Sequence, residues 1–149
     1  AVANDLLETS AASGDLEDAL LRWDPENESF TDDRSPRYFT SGGPPNAFGE
    51  ALNATFGERR IAFNVRVRHG TDGEAETTLV NMGSPSDNAV TATRTVVLTD
   101  DANLTAPGYR DTTLRMLSDG TADGEFYAAD VVGGAVYDRL EVRIVVWQL

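Results

Sequence analysis

The chain lacks cysteine and lysine, and it contains a single histidine, His69. Without cysteine it can form no disulfide, no thiol nucleophile and no thiolate zinc site, and one histidine excludes every multi-histidine metal site. It also lacks the apolar run of about 18 to 20 residues that a membrane-spanning helix needs, and its first residues lack the charged and apolar regions of a signal peptide. Most catalytic and metal-binding chemistries are therefore excluded, and no cofactor is expected.

The charge of the chain is strongly one-sided. Twenty-five acidic residues face twelve arginines, which gives a net charge of -13. Such a surface repels phosphate backbones, so nucleic acid is not an expected partner. Arginine in place of lysine, with a high acidic load, indicates a halophilic protein, because salt near 1 M shortens the Debye length to about 3 Å and screens the repulsion among carboxylates. An acidic protein with an arginine bias from a GC-rich genome is the alternative.

The 149 residues fit one domain, which begins with helices. Apolar residues at helical spacing predict that residues 1–23 are helical. Residues 24–45, which hold four of the six prolines, are predicted to form a surface loop. The apolar stripe that follows predicts a helix over 46–56, with Gly57 as its terminator.

In the remaining residues, 58–149, apolar and polar side chains alternate in several short runs, which predicts a mainly antiparallel sheet with acidic loops. Residues 100–134 are rich in Asp, Gly and Thr, with only a short apolar piece at Leu114, Met116 and Leu117. The first three strands are expected to form a meander, and the strongest alternation runs from Leu140 to Trp147. His69 is expected in an exposed turn, residues 69–73. Helices first and strands later indicate an α+β domain, with N-terminal helices packed on an antiparallel sheet.

Few residues suggest a metal or a catalytic centre. Asp119, Thr121, Asp123 and Asp130 fall at positions 1, 3, 5 and 12 of a calcium-binding loop. Position 12 should be glutamate and position 3 aspartate or asparagine, so an acidic turn is the preferred interpretation and no metal is expected. A Ser-His-Asp triad would have to use His69, and no G-x-S-x-G motif precedes a helix. No catalytic residue is predicted, and the protein is expected not to be an enzyme.

Two further features concern the surface and the core. Sequons at Asn27, Asn53 and Asn103 are glycosylation candidates that would suit an exported protein. Arg94 lies among apolar residues of its strand. If Arg94 points inward, it is expected to pair with a carboxylate or with backbone carbonyls, because an unpaired buried charge costs several kcal/mol; a β-bulge would instead rotate it outward.

Three groups of residues, at the start, middle and end of the chain, carry a resemblance to a known family. They are Ala1-Val2-Ala3-Asn4-Asp5-Leu6-Leu7 with Gly14-Asp15-Leu16 and Trp23, Ser86-Asp87-Asn88-Ala89-Val90-Thr91-Ala92-Thr93-Arg94, and Val142-Arg143-Ile144-Val145-Val146-Trp147. On these residues the chain resembles an uncharacterised family of secreted, type IV pilin-like (pseudopilin-like) proteins of haloarchaea. The resemblance implies the soluble, β-rich head domain of such a protein, located outside the cell or at its surface.

The leading hypothesis is a non-enzymatic extracellular head domain that acts in surface filament or envelope assembly or in adhesion. Its partners would be other pilin-like subunits or surface proteins, and it would contact a membrane only through an upstream hydrophobic helix. That helix is expected because the helical pattern is already present at Val2 with no capping residue before it. A secreted ligand- or carbohydrate-binding module, with Trp23, Tyr38 or Trp147 as a stacking platform, is the alternative. A hydrolase would need a deep pocket that holds two carboxylates.

The charge imbalance predicts a fold that depends on salt. Raising NaCl from millimolar to molar concentration should raise the melting temperature, because screening removes the repulsion among carboxylates. Thermal unfolding followed by circular dichroism over a series of NaCl concentrations measures this effect. A melting temperature that stays the same or falls in molar salt would contradict the halophilic interpretation.

Overall fold

The structure, a computed structural model, describes residues 2–31, 36–70, 74–130 and 135–149. Within these ranges the elements are, in chain order, α1 (Val2–Ser13), α2 (Asp15–Leu20), α3 (Ala47–Phe56), β1 (Ile61–His69), β2 (Ala75–Asn81), β3 (Val90–Thr99), α4 (Leu114–Ser118) and β4 (Val136–Gln148). The predicted α+β class, with N-terminal helices on an antiparallel sheet, is confirmed. No helix in these ranges is long and apolar enough to span a bilayer.

The predicted N-terminal helical segment is confirmed as two helices joined at Gly14. Gly14 takes a left-handed conformation (φ 85°), which ends α1 and lets α2 begin at the next residue. Helix α2 ends at Leu20, three residues before the predicted boundary. Trp23 instead lies just before the turn at Pro25, because a proline disfavours helical conformation in the residue that precedes it.

Helix α3 confirms the helix predicted over 46–56, with Asn46 as its N-cap. The Asn46 side chain accepts a hydrogen bond from the backbone N–H of Gly49 (3.0 Å). Gly57 does not end this helical segment, because it has helical dihedral angles and a 3-10 turn continues from it to Arg59. The chain turns away at Arg60, which has a left-handed conformation (φ 57°).

The four strands form one antiparallel sheet in the order β2-β1-β4-β3. The predicted meander is therefore wrong, since β2 and β3 lie at opposite edges and do not pair. Strand β4 lies between β1 and β3 instead. It carries apolar side chains on both faces, and a strand of that composition is most stable at the centre of a sheet, where both of its edges are paired.

One side of the sheet packs against the N-terminal helices and forms the core. Alternate strand residues point to this side, and α1 lies against β3. The buried strand residues of this side include Phe63, Val65, Val67, Ala92, Leu98, Leu140, Val142 and Ile144, and the helices contribute Leu6, Leu7, Leu16, Leu20, Phe48, Leu52 and Phe56.

The segment between β3 and β4 is predicted to be an acidic loop with one short apolar piece. The described residues 100–130 contain no strand, in agreement with that prediction. The short apolar piece in this segment forms α4, which is capped by Thr113 through a hydrogen bond from the N–H of Met116 (3.2 Å). Leu114 and Leu117 of α4 are buried in the core and anchor the long segment there.

The connection from β2 to β3, residues 82–89, has to cross β1 and β4 to join the two edges of the sheet. Asn64 of β1 holds it in place. The Oδ1 atom of Asn64 accepts a hydrogen bond from the N–H of Met82 (2.8 Å), and its Nδ2 donates to the carbonyl of Gly83 (2.9 Å). Asn64 alternates with core residues of β1, so the connection crosses on the side of the sheet away from the helices.

On the side of the sheet away from the helices, the residues at one end of the β1–β4 pair are buried. Ala62 and Trp147 lie opposite each other in the β1–β4 register and point to that side. They are only 1 % and 6 % exposed. Both lie on the side of the sheet on which the connecting segment begins its crossing at Asn64.

Replacing Asn64 by alanine should release the crossing segment. The change removes two part-buried hydrogen bonds, a cost of about 1–3 kcal/mol. Urea unfolding should show this loss, and acrylamide should quench the fluorescence of Trp147 more strongly. Asn88→Ala, at an exposed position of the same segment, is the control and should change neither quantity. Equal effects of the two substitutions would contradict the role given to Asn64.

Candidate functional site

The side of the sheet away from the helices carries a cluster of charged side chains beyond the crossing segment. We call it the open face and define it by Arg66, Arg68, Glu76, Arg139, Glu141 and Arg143. The exposed residues Thr91, Thr93 and Thr95 of β3 border it, since they lie opposite alternate residues of β4. Four arginines and two glutamates give the open face a positive charge in a protein whose net charge is -13.

Ion pairs cross three strands of the open face. Arg66 and Arg68 lie 3.5 and 3.8 Å from Glu76, while Arg68 and Arg143 lie 4.0 and 3.4 Å from Glu141. Their side chains are 31 to 41 % exposed, so each pair adds little stability by itself. The two glutamates mainly allow Arg66 and Arg143, which lie directly opposite each other, to occupy neighbouring strands despite their like charge.

The helices α1 and α2 carry charge of the opposite sign. Helices α1 and α2 contain five acidic residues and no arginine: Asp5, Glu8, Asp15, Glu17 and Asp18. Asp5, Glu8 and Asp18 are exposed, and Asp15 and Glu17 are half-buried. Partial burial and the neighbouring Asp18 carboxylate raise the pKa of Glu17, which reflects the density of negative charge there. We call these five residues the acidic helical surface.

A second feature is a groove of about 610 Å³ beside β2, which we call the Tyr38 groove. Its lining residues are Trp23, Glu28, Pro36, Arg37, Tyr38, Glu76, Thr77, Thr78 and Tyr127. Tyr38 is half-buried, so part of its ring faces the groove. Trp23 is 5 % exposed and its Nε1 donates to the carbonyl of Glu125 (2.7 Å), so it serves mainly as a core residue. Of the three rings predicted as a platform, Tyr38 alone offers a substantial surface, because Trp147 is also buried.

The rim of the Tyr38 groove includes a strained turn at Glu28. Glu28 has a left-handed backbone (φ 54°), which is uncommon outside glycine. The turn is held by Asp24, whose carboxylate accepts hydrogen bonds from the backbone N–H groups of Glu26 and Asn27 and from the Asn27 side chain. Burial opposes ionisation of Asp24, but these hydrogen bonds outweigh it and lower its pKa. The carboxylate of Glu28 is thus placed at the groove by a rigid turn.

His69 lies in the core and not in the exposed turn predicted for it. It is 8 % exposed, and its Nε2 lies 2.9 Å from Oγ1 of Thr77, a residue of the Tyr38 groove. Its ring also packs edge-on against Tyr127. His69 continues the core-facing alternation of Phe63, Val65 and Val67, which is the signal that could have placed it correctly. Residues 71–73 of the predicted turn lie outside the described residues.

The contacts of His69 do not form a catalytic triad. Burial lowers its pKa, while the negative charge of Asp138 acts in the opposite direction. Among the described residues, no hydrogen bond joins His69 to Asp138, whose Oδ1 accepts instead from the N–H of Arg139 (2.7 Å). The Thr77 hydroxyl therefore has a histidine neighbour without a carboxylate that orients the ring.

The segment that partly matches a calcium-binding loop contains a turn, as the preferred interpretation predicts. Asp119 accepts hydrogen bonds from the N–H and the hydroxyl of Thr121, so its carboxylate closes the turn. Gly124 is needed for packing, since a Cβ there would lie 2.3 Å from the Pro25 carbonyl oxygen. Within the described ranges, no group of three acidic or histidine side chains, Asp123 and Asp130 included, is arranged to hold a metal.

The three sequons differ in their surroundings. Asn53 and Asn103 are exposed, and the side-chain oxygen of Asn53 accepts a hydrogen bond from Gly43. Asn27 is half-buried, its Nδ2 donates to Asp24 (2.8 Å), and Ser29 of its sequon is fully buried. Asn53 and Asn103 are therefore the better glycosylation candidates.

The buried pairing expected for Arg94 is wrong. Arg94 does face the helical side, opposite Val142 of β4, but its side chain is exposed. Strand β3 lies at the sheet edge, so the long side chain reaches solvent past that edge. None of the ion pairs among the described residues involves Arg94.

The fold and its surfaces define an α+β protein in which a helical layer covers one side of an antiparallel sheet and leaves a charged face on the other. Comparison with protein families adds a specific assignment. Residues 1–146 match the model of DUF7288, a family of unknown function, and the chain belongs to that family. No curated protein and no solved structure matches the chain.

Acidification should destabilise the fold through His69. Because its folded-state pKa is lowered below the ordinary value of 6.5, the unfolded chain takes up the proton first as the pH falls. The stability that depends on neutral His69 is full above that value and is lost as the pH falls toward the folded-state pKa. An NMR titration of this single histidine should give a midpoint below 6.5, and His69→Gln should reduce the pH dependence of urea unfolding in this range. A midpoint above the ordinary value would contradict this prediction.

Proposed function

We propose that this domain is the non-enzymatic, extracellular head domain of a type IV pilin-like surface protein from a halophile, which acts in surface filament or envelope assembly or in adhesion. The observation that carries the proposal is the placement of α1. This N-terminal helix lies against β3 of a four-stranded antiparallel sheet, with Ala3, Leu6 and Leu7 buried in the core. In a head domain of the kind that the resemblance implies, an N-terminal helix packs against a β-rich domain in this way.

A role without catalysis is supported by how the reactive side chains are used. His69 bonds to Thr77, Asp119 closes a turn through Thr121, and Trp23 bonds to the Glu125 carbonyl. Each of these contacts stabilises the fold itself. The open face and the acidic helical surface are broad, accessible and charged, as subunit or envelope contacts require.

A location at the surface of a halophile is supported by charge and by the sequons. The chain has a net charge of -13 and contains no lysine, a composition that suits a protein exposed to molar salt. Two sequons, at Asn53 and Asn103, have exposed asparagines that an extracellular glycosylation system could reach.

A secreted ligand- or carbohydrate-binding module is the second candidate, and the Tyr38 groove favours it. A half-buried tyrosine beside Arg37 and the carboxylates of Glu28 and Glu76 combines a stacking surface with hydrogen-bonding groups. Tyr38 supplies the stacking surface of the groove. Trp23 and Trp147 are buried, so their rings offer a ligand little surface.

Tagging the complete gene product in its source organism tests the proposal. We expect the tagged protein in the cell-surface or filament fraction, and immunogold labelling should decorate surface structures that are lost when the gene is deleted. Re-expression of the gene in the deletion strain is the control. A freely secreted product that binds soluble oligosaccharides, with binding lost in Tyr38→Ala and retained in Tyr38→Phe, would contradict the head-domain proposal and favour the second candidate.

A further inference from the structure

The two sides of the sheet carry opposite charge. The open face has four arginines and two glutamates, and the acidic helical surface has five carboxylates and no arginine. The helices pack on one side of the sheet and the open face lies on the other, so the two charged surfaces point in opposite directions. A single copy cannot bring its own two surfaces together.

Two copies can make the contact that one copy cannot. Placing the open face of one copy on the helices of the next joins different surfaces, which is a head-to-tail contact. Such a contact leaves an unused open face at one end and an unused helical surface at the other. It therefore repeats, and unless the rotation between copies closes a ring, the product is an open filament.

We propose that the open face binds the acidic helical surface of a second copy of this chain, so that copies join in a repeating face-to-helix contact. This inference rests on the proposed function and names the surfaces through which the head domains would assemble.

The side chains of the open face suit this partner. The side chains of Arg66, Arg68 and Arg143 are 31 to 41 % exposed, and Arg139 is exposed. A guanidinium has five N–H donors, so an arginine that already contacts Glu76 or Glu141 can still bind a carboxylate of a neighbour. The ion pairs within the face also hold the arginines in place before binding, which lowers the entropy lost on association.

The net charge of the protein does not prevent this contact in salt. Copies that each carry -13 repel one another at long range. At about 1 M salt the Debye length is about 3 Å, so the long-range repulsion is screened while arginine and carboxylate groups in direct contact still attract. The pattern of charge at the contact then decides whether copies associate.

Charge reversal on each surface, followed by mixing, tests the proposal. The face variant is Arg66→Glu with Arg139→Glu; Arg143 lies opposite position 66 and can pair with the new carboxylate. The helix variant is Glu8→Arg with Asp18→Arg, both at exposed positions. Sedimentation velocity at about 1 M NaCl should show self-association of the unchanged protein, and an association constant lower by about tenfold or more for each variant alone. An equal mixture of the two variants should restore association, because each then offers a complementary surface to the other.

A matched control separates the surface from the net charge. Arg59→Glu with Arg115→Glu changes the charge as much as the face variant does, at exposed arginines that belong neither to the open face nor to helices α1 and α2. This control should associate as the unchanged protein does. Circular dichroism and thermal unfolding of every variant verify that each is folded.

Three results would overturn the proposal: no self-association of the folded, unchanged protein, association that survives both reversals, or a mixture that stays monomeric. If copies associate but neither reversal matters, the choice of surfaces is wrong while the head-domain function stands. If the mixing result holds but the tagged gene product is absent from the cell surface, the surfaces are right and the proposed function is wrong.

Discussion

The pairing of β4 with both β1 and β3 is the interaction on which the rest of the structure depends. It places the longest strand at the centre of the sheet, and it separates β2 and β3 to the two edges. The connection between them must then cross the sheet, and Asn64 supplies the hydrogen bonds that hold the start of this connection in place. The same arrangement fixes which residues of β4 join the core and which join the open face.

Local patterns were sufficient for most of the elements but not for their arrangement. Apolar spacing predicted α1, α2 and α3 but not the short helix α4, and alternation predicted the strands, because these patterns depend on neighbours within a few residues. The strand order could not be read in the same way, since the pairing of β1 with β4 joins residues about 80 positions apart in the chain. A meander assumes that consecutive strands are neighbours, and here β4 takes the place that β3 would have had.

The residues of the candidate sites also show that local sequence motifs do not predict contacts made between distant parts of the chain. Asp119 and Thr121 fit a calcium motif by spacing, whereas in the fold they bond to each other and close a turn. Arg94 has the expected facing, but its exposure depends on β3 being an edge strand. The arginines of the open face were visible in the sequence as polar residues of alternating strands. Their meeting on three adjacent strands required the strand order.

The central place of β4 also has a consequence for biosynthesis. Strands β1 and β3 do not pair with each other, and each is joined to the sheet through a strand that leaves the ribosome after all the others. During translation the earlier segments can form helices and the β1–β2 hairpin, but the four-stranded sheet cannot close until residues 136–148 are available. A nascent chain of this design therefore keeps β3 unpaired, and β1 paired with β2 alone, until residues 136–148 have left the ribosome.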